Sequence, residues 1–121
     1  MADREEVEVT VCRFDDIDDP GCREFRIGEG DWPFRGFVVR QNDNIYAYQN
    51  FCMHVGHPLN WQPDRFLTED GSEIICSSHG ATYNIDEGLC TGGPCKGRSL
   101  RKVFVEIRDG EVVVRGPNGL R

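Results

Sequence analysis

Two short runs that each pair a cysteine with a histidine constrain this chain most strongly. They are Cys52-Met53-His54 and Cys76-Ser77-Ser78-His79. Each run offers one thiolate and one imidazole, the side-chain groups that bind zinc and iron in proteins. A chain that brings both runs to one point must fold so that two loops meet around a metal. The sequence therefore predicts a metal site with mixed sulfur and nitrogen ligation.

The grouping of the ligands distinguishes two kinds of centre. Two cysteines and two histidines can hold a tetrahedral zinc ion. The same four can hold a 2Fe-2S cluster, with both sulfurs on one iron and both nitrogens on the other. Zinc fingers usually group thiolates in one knuckle and histidines in another, whereas here each run supplies one of each. The pattern favours the 2Fe-2S cluster, and a zinc-stabilised binding module is the alternative.

The residues around the two runs resemble the cluster-binding boxes of the Rieske family. Residues 52–56 read Cys-Met-His-Val-Gly and residues 76–80 read Cys-Ser-Ser-His-Gly. The family patterns are Cys-X-His-X-Gly and Cys-X-X-His-Gly. The resemblance continues through 36–48, 83–88 and Gly93-Pro94, so that nearly the whole chain looks like a small Rieske-type ferredoxin of an oxygenase system.

This resemblance implies the fold and the domain limits. The expected fold is all-β and Rieske-type, with three small antiparallel sheets and a cluster-binding subdomain of two loops. We expect a single Rieske 2Fe-2S domain over residues 4–116, with its cluster-binding part at about 50–95. Residues 117–121 are expected to form a loose C-terminal tail.

The resemblance also implies one 2Fe-2S cluster and a set of four ligands. Cys52 and Cys76 are expected on the buried iron, because thiolates are soft ligands, and His54 and His79 on the outer iron. His57 follows closely in the sequence. It is expected to point away from the cluster, because four ligands already complete the site.

Five further residues are expected around the cluster. Gly56 and Gly80 belong to the boxes, and Tyr83 occupies a family position that donates a hydrogen bond. Ala81 stands where respiratory Rieske proteins place a hydroxyl. Pro94 resembles the proline loop that shields the cluster from water, with a plain turn as the alternative.

The chain departs from the family pattern in two places. Twenty-one residues separate His54 from Cys76, which is more than we expect of a bacterial oxygenase ferredoxin, and this predicts a lengthened hairpin or loop within 62–73. Respiratory Rieske proteins join the two cluster loops by a disulfide. The matching positions here are His57 and Ser78, so this bridge cannot form.

Period-two patterns predict strands along most of the chain, and no segment predicts a persuasive helix. The clearest are 7–11, the hairpin 36–48 with a polar turn at 41–44, and the hairpin 103–114 with Asp109-Gly110 at its turn. Ile74-Ile75 leads directly into Cys76, and 81–84 continues as a strand. The second box is therefore predicted on a loop held by sheet.

Length and composition predict one cytoplasmic domain. A chain of 121 residues buries roughly two-thirds of its extended surface, enough for a single core. No apolar run approaches the roughly 20 residues of a membrane helix. The acidic start 1–6 is unlike a signal peptide. We expect no membrane contact and a monomer.

The cysteines outside the boxes fit a reducing compartment. They are Cys12, Cys22, Cys90 and Cys95. Cys90 and Cys95 flank a turn-forming segment. These two could therefore pair as a disulfide or act as alternative metal ligands.

The net charge of −7 predicts basic partners and excludes nucleic acid, since nothing neutralises phosphates. The densest acidic stretch is Asp15, Asp16, Asp18 and Asp19. It is interpreted either as a steering surface for a positively charged protein or as a solvated loop.

Function follows from the predicted coordination. Irons that are fully coordinated by protein and sulfide have no open position for a substrate, so we expect a one-electron carrier and not an enzyme. The family resemblance implies a flavin-containing NAD(P)H reductase as donor and a terminal oxygenase as acceptor. The alternative is a Rieske-like small subunit of a larger oxidoreductase such as nitrite reductase.

Overall fold

Nine β-strands and one short 3-10 turn make up the described part of the chain. The computed structural model describes residues 6–28, 34–50, 66–76, 80–93 and 99–117. The strands are β1 (Glu6–Arg13), β2 (Gly21–Ile27), β3 (Phe34–Gln41), β4 (Asn44–Gln49), β5 (Glu73–Ile75), β6 (Thr82–Asn84), β7 (Cys90–Gly92), β8 (Phe104–Arg108) and β9 (Glu111–Pro117), and the 3-10 turn is Phe14–Asp16.

The strands form three antiparallel sheets of three strands each. Their orders are β1-β9-β8, β2-β3-β4 and β5-β6-β7, and they are called here the first, second and third sheet. The all-β prediction with three small antiparallel sheets is confirmed. Strand β9 extends to Pro117, one residue into the predicted tail, and residues 118–121 lie outside the described part.

Both predicted hairpins form where local turn chemistry specifies them. Asp109 and Gly110 join β8 to β9 with φ angles of 52° and 79°. Positive φ at both central residues is the requirement of the type I′ hairpin turn, and Asp-Gly meets it at low cost. The two-residue turn between β3 and β4 begins at Asn42, with φ of 59°.

The second sheet separates two hydrophobic clusters. On one side, Phe37 and Val39 of β3 join the cluster that contains the residues of the third sheet. On the other, Val38 joins the cluster that contains Val112 and Val114 of the first sheet. Because successive side chains of a strand point to opposite faces, β3 is apolar on both. This explains why 37–39 reads as a continuous apolar run instead of an alternation.

The first sheet carries a network of charges on its exposed surface. Arg108 and Arg115 both bind the carboxylate of Glu8, at 3.0 Å each, and Arg108 also binds Glu106. The hydrogen bond from Arg108, followed by that from Arg115, lowers the pKa of Glu8 to about 2. Exposed pairs of this kind contribute little to stability.

No membrane-spanning helix is present among the residues that the structure describes.

Gly36 on β3 makes room for an aromatic ring. It pairs with Phe25 of β2, and a Cβ atom at Gly36 would stand 2.4 Å from the Cζ atom of that buried ring. We predict that Gly36→Ala lowers the free energy of unfolding by about 1–3 kcal/mol, because the ring must move within a packed core. Urea denaturation followed by circular dichroism measures this.

The double variant Phe25→Leu/Gly36→Ala is the matched control for that prediction. A shorter side chain relieves the clash, so the double variant should lose less stability than the sum of the two single variants. Strict additivity, or wild-type stability for Gly36→Ala alone, would contradict the account of this site.

Candidate metal centre

Cys76 lies at the end of β5, as the sequence predicts. It follows Ile75 directly and is fully buried, with 0% of its surface exposed. It belongs to the same hydrophobic cluster as Ile74 and Tyr83. A buried thiol at the rim of a sheet suits a soft metal ligand, because its position is fixed by the strand behind it.

Two backbone hydrogen bonds close the turn that begins at Cys76. The Cys76 N–H donates to the Ala81 carbonyl at 2.8 Å, and the Gly80 N–H donates to the Cys76 carbonyl at 2.9 Å. Gly80 adopts φ of +73°, in the left-handed region that favours glycine. The box therefore leaves and rejoins the sheet at fixed points, and residues 77–79 between them lie outside the described residues.

The predicted neighbours that the structure describes lie beside Cys76. Ala81 and Tyr83 are both 0% exposed, and Tyr83 on β6 pairs with Ile74 of β5 and Cys90 of β7. The backbone of Gly93 covers Ala81, since a Cβ at Gly93 would stand 2.7 Å from the Ala81 Cα. Cys76, Ala81 and Tyr83 thus form one water-excluded corner of the third sheet, and the exposed Gly80 lies at its edge.

Most of the other predicted site residues fall outside the described part of the chain. These are Cys52, His54, Gly56, His57, His79, Pro94 and Cys95. The structure does describe the chain that leads into the first box. The Gln49 N–H donates to the Arg101 carbonyl and the Asn50 N–H to the Arg35 carbonyl, both at 2.9 Å. The chain therefore leads toward the first box from a fixed point at Asn50, and no sequence pattern predicts these bonds.

The lengthened segment before Cys76 forms a hairpin over its described residues. The Thr68 N–H donates to the Glu73 carbonyl at 2.8 Å and the Ile75 N–H to the Phe66 carbonyl at 2.9 Å. The Phe66 ring stacks on Phe37 of the second sheet, with centroids 4.0 Å apart. The hairpin predicted within 62–73 is present from 66 onward, and it braces the strand that carries Cys76.

The turn of this hairpin is organised by Asp70. Its carboxylate accepts hydrogen bonds from the Thr68 hydroxyl at 2.7 Å and from the N–H and hydroxyl of Ser72 at 3.0 and 2.8 Å. The bond from Thr68, followed by those from Ser72, lowers the pKa of Asp70 to about 2. The carboxylate therefore stays ionised at neutral pH.

The acidic stretch at the 3-10 turn lies beside the hairpin that contains Asp70. A groove of about 490 Å³ is lined by Asp18 on one side and by Glu69 and Asp70 on the other. The side chain of Asp19 is held in place by a hydrogen bond, since its Oδ1 accepts from the Asn42 N–H at 2.7 Å. Two acidic segments far apart in the sequence thus share one negative surface.

Cys90, one of the cysteines outside the boxes, is buried in the third sheet. Its Sγ donates a hydrogen bond to the Gly92 carbonyl, with 3.2 Å between sulfur and oxygen. Cys95, its possible pairing partner by sequence, lies outside the described residues, so the pairing remains a sequence-based alternative.

The described residues around Cys76 fit a thiolate ligand of an iron-sulfur centre. Beside this buried thiol lie a left-handed glycine that turns the chain and an apolar wall. Among residues 6–28, 34–50, 66–76, 80–93 and 99–117, no group of three or more metal-binding side chains occurs. The other three predicted ligands lie in the gaps of that range.

Comparison with protein families gives a match over most of the chain. The model of the family described as Rieske [2Fe-2S] domain matches residues 7–113. Apoptosis-inducing factor 3 of Mus musculus is 31% identical over 109 residues, which are 90% of this chain. The chain spans 16% of the length of that relative.

Two solved structures are similar in fold. One is a chain from the complex of reduced oxygenase and oxidized ferredoxin in carbazole 1,9a-dioxygenase. It is 28% identical with a TM-score of 0.68, and the match covers 95% of this chain and 98% of that one. The other is the ferredoxin of carbazole 1,9a-dioxygenase from Nocardioides aromaticivorans, at 24% identity and a TM-score of 0.69, covering 89% and 96%.

Gly80 provides a clean test of the turn geometry. A Cβ atom there would meet nothing within 4 Å, so a substitution changes only backbone strain. We predict that Gly80→Ala costs about 1–2 kcal/mol of unfolding free energy and lowers iron content, because alanine resists the left-handed conformation. Gly80→Asn should be milder, since asparagine tolerates that region. Urea denaturation and iron analysis measure both, and equal losses for the two variants would contradict the role assigned to φ.

Proposed function

The chain belongs to the Rieske [2Fe-2S] domain family, whose cofactor is one 2Fe-2S cluster, and we propose that it works as a one-electron carrier. One observation carries the proposal: Cys76 of the second box is buried at the end of β5, in a chain that matches the family over 7–113. The match supports the single domain that we propose over 4–116, whereas Pro117 belongs to β9 and not to the tail predicted over 117–121.

Four residues would hold the cluster. We assign Cys52 and Cys76 to one iron and His54 and His79 to the other, following the ligand division of Rieske centres. The bound cluster supplies the capacity to take up and release one electron. Four protein ligands and bridging sulfide leave no position for a substrate, which argues for a component of an oxidoreductase system instead of an enzyme in its own right.

The described residues beside the proposed cluster are buried, and they fix where the second box leaves the sheet. Ala81 and Tyr83 present no exposed surface, and the Cys76–Ala81 bond sets where the second box starts. Gly56 and Pro94 are proposed to complete this shell from the first box and from the loop after Gly93. A dry, apolar shell controls solvent access and so the reduction potential.

The proposed partners are a flavin-containing NAD(P)H reductase and a terminal oxygenase. The oxygenase is supported by the similarity to a chain from an oxygenase–ferredoxin complex, which spans nearly all of both chains. The surface formed by Asp18, Glu69 and Asp70 is acidic. It supports a partner with a positively charged docking face, because opposite charges steer association. The carrier is proposed to act as a monomer in the cytoplasm.

The match to a relative much longer than this chain favours a second function. A region 31% identical to this chain makes up only 16% of mouse apoptosis-inducing factor 3. A Rieske domain can thus be one part of a much larger protein. The second proposal is a small subunit that serves a larger oxidoreductase, of which nitrite reductase is an example. It requires that the protein purify from its native source bound to a large catalytic chain.

Reconstituted electron transfer tests the proposed carrier and its ligands. Reductase, oxygenase and this protein are combined, and NAD(P)H-dependent product formation is measured with His54→Ala, His79→Ala and His57→Ala variants. We predict that the first two lose at least about tenfold in rate together with the Rieske absorption spectrum, because losing a metal ligand leaves the cluster incompletely bound.

His57→Ala is the matched control, since it removes a histidine directly after the first box without removing a proposed ligand. It should retain the spectrum and most of the rate. Loss of the cluster in His57→Ala, or its retention in His79→Ala, would contradict the ligand assignment. A loaded wild-type protein that transfers no electrons to any oxygenase would contradict the proposed acceptor.

A further inference from the structure

A chain of hydroxyl groups crosses the third sheet on its exposed face. The Thr91 hydroxyl on β7 donates to the Glu73 carboxylate on β5, at 2.5 Å. The Thr91 and Thr82 hydroxyl oxygens are 2.9 Å apart. Because the Thr91 hydrogen is directed to Glu73, the Thr82 hydroxyl of β6 donates to Thr91. One side chain from each strand therefore takes part.

Thr91 sits at an irregularity of the β6–β7 pair. Thr82 pairs with Gly92, whereas its neighbour Tyr83 pairs with Cys90, so Thr91 is an extra residue on β7. Such a bulge bends its strand and changes the direction of the following residues. Since β7 is three residues long, backbone pairing alone holds the bulge weakly. The side-chain bonds to Glu73 and Thr82 add a second attachment.

The residues after the bulge reach the corner that contains Cys76. Gly93 has φ of +92°, and its backbone lies so close to Ala81 that a Cβ would stand 2.7 Å from the Ala81 Cα. Ala81 is fully buried, and its carbonyl accepts the 2.8 Å bond from the Cys76 N–H. The backbone of Gly93 therefore packs directly on the residue whose carbonyl accepts the hydrogen bond from Cys76.

We propose that Thr91 is a positioning residue for the iron-sulfur centre. Its hydrogen bonds to Glu73 and Thr82 hold the bulge, the bulge keeps Gly93 packed on Ala81, and this packing keeps water from Cys76. The inference rests on the proposed function, in which Cys76 is a cluster ligand. Water near the cluster stabilises the more negative reduced form, so this packing keeps the reduction potential low.

The test compares Thr91→Val with Thr91→Ser in the cluster-loaded full-length protein. Valine keeps the branched shape and removes the hydroxyl, whereas serine keeps the hydroxyl. Two quantities are measured without oxygen: the rate at which an iron chelator bleaches the visible absorption, and the midpoint potential. For Thr91→Val we expect bleaching roughly fivefold faster and a less negative potential, and for Thr91→Ser values near those of wild type.

Further variants separate this role from general stability. Thr10→Val makes the same chemical change on β1 of the first sheet and should bleach at the wild-type rate. Glu73→Gln keeps an oxygen that can accept the Thr91 hydrogen bond, whereas Glu73→Leu removes it. If Thr91→Val does not fold, the same inference predicts fast bleaching for Glu73→Leu and slow bleaching for Glu73→Gln.

Three outcomes would overturn the positioning role. In the first, Thr91→Val has the bleaching rate and the midpoint potential of the wild-type protein. In the second, Thr91→Ser bleaches faster than wild type. In the third, Glu73→Gln and Glu73→Leu bleach at equal rates. Each leaves the proposed function intact if the wild-type protein contains iron and sulfide. A wild-type protein without iron and sulfide overturns the proposed function itself, so the two failures are distinguishable.

Discussion

The hydrogen bond from the Cys76 N–H to the Ala81 carbonyl is the contact on which the rest of the site depends. It closes the second box at the rim of the third sheet, and the bond from the Gly80 N–H to the Cys76 carbonyl holds the two ends of the box together. Because Cys76 and Ala81 are both fully buried, the bond lies in a dry environment where losing it is costly. An electron carrier benefits from this rigidity, since its centre must keep one geometry in both redox states.

The packing around this bond explains why so small a chain can hold a metal centre. The third sheet has only three-residue strands, and it is stabilised by packing on the second sheet through Phe37 and Tyr48. The Tyr48 hydroxyl donates to the Ile85 carbonyl at 2.5 Å, and burial raises the pKa of Tyr48. The hairpin from 66 onward adds Phe66 to the same cluster. Among the described residues, the first sheet packs on the opposite face of β3, in a hydrophobic cluster separate from that of Cys76.

Local chemistry made part of this structure predictable from the sequence. Asp109-Gly110 specifies its turn directly, and Ile74-Ile75 before Cys76 places the second box at a strand end. The contact of Gly93 with Ala81 and the bulge at Thr91 were not predictable. They depend on the register of strands too short to show a period, and on pairing between residues brought together only by the fold. The ligand assignments for the first box remain predictions, because they follow from the motif and not from described contacts.

Pulsed electron paramagnetic resonance of the dithionite-reduced protein decides whether histidines bind the cluster, because it detects nitrogen nuclei bound to iron. We predict a 2Fe-2S signal coupled to two histidine nitrogens, and ¹⁵N-labelled histidine should change that coupling. A reduced cluster with no such nitrogen coupling would show that thiolates alone hold it and would contradict the account. A colourless protein containing one zinc ion would contradict it as well.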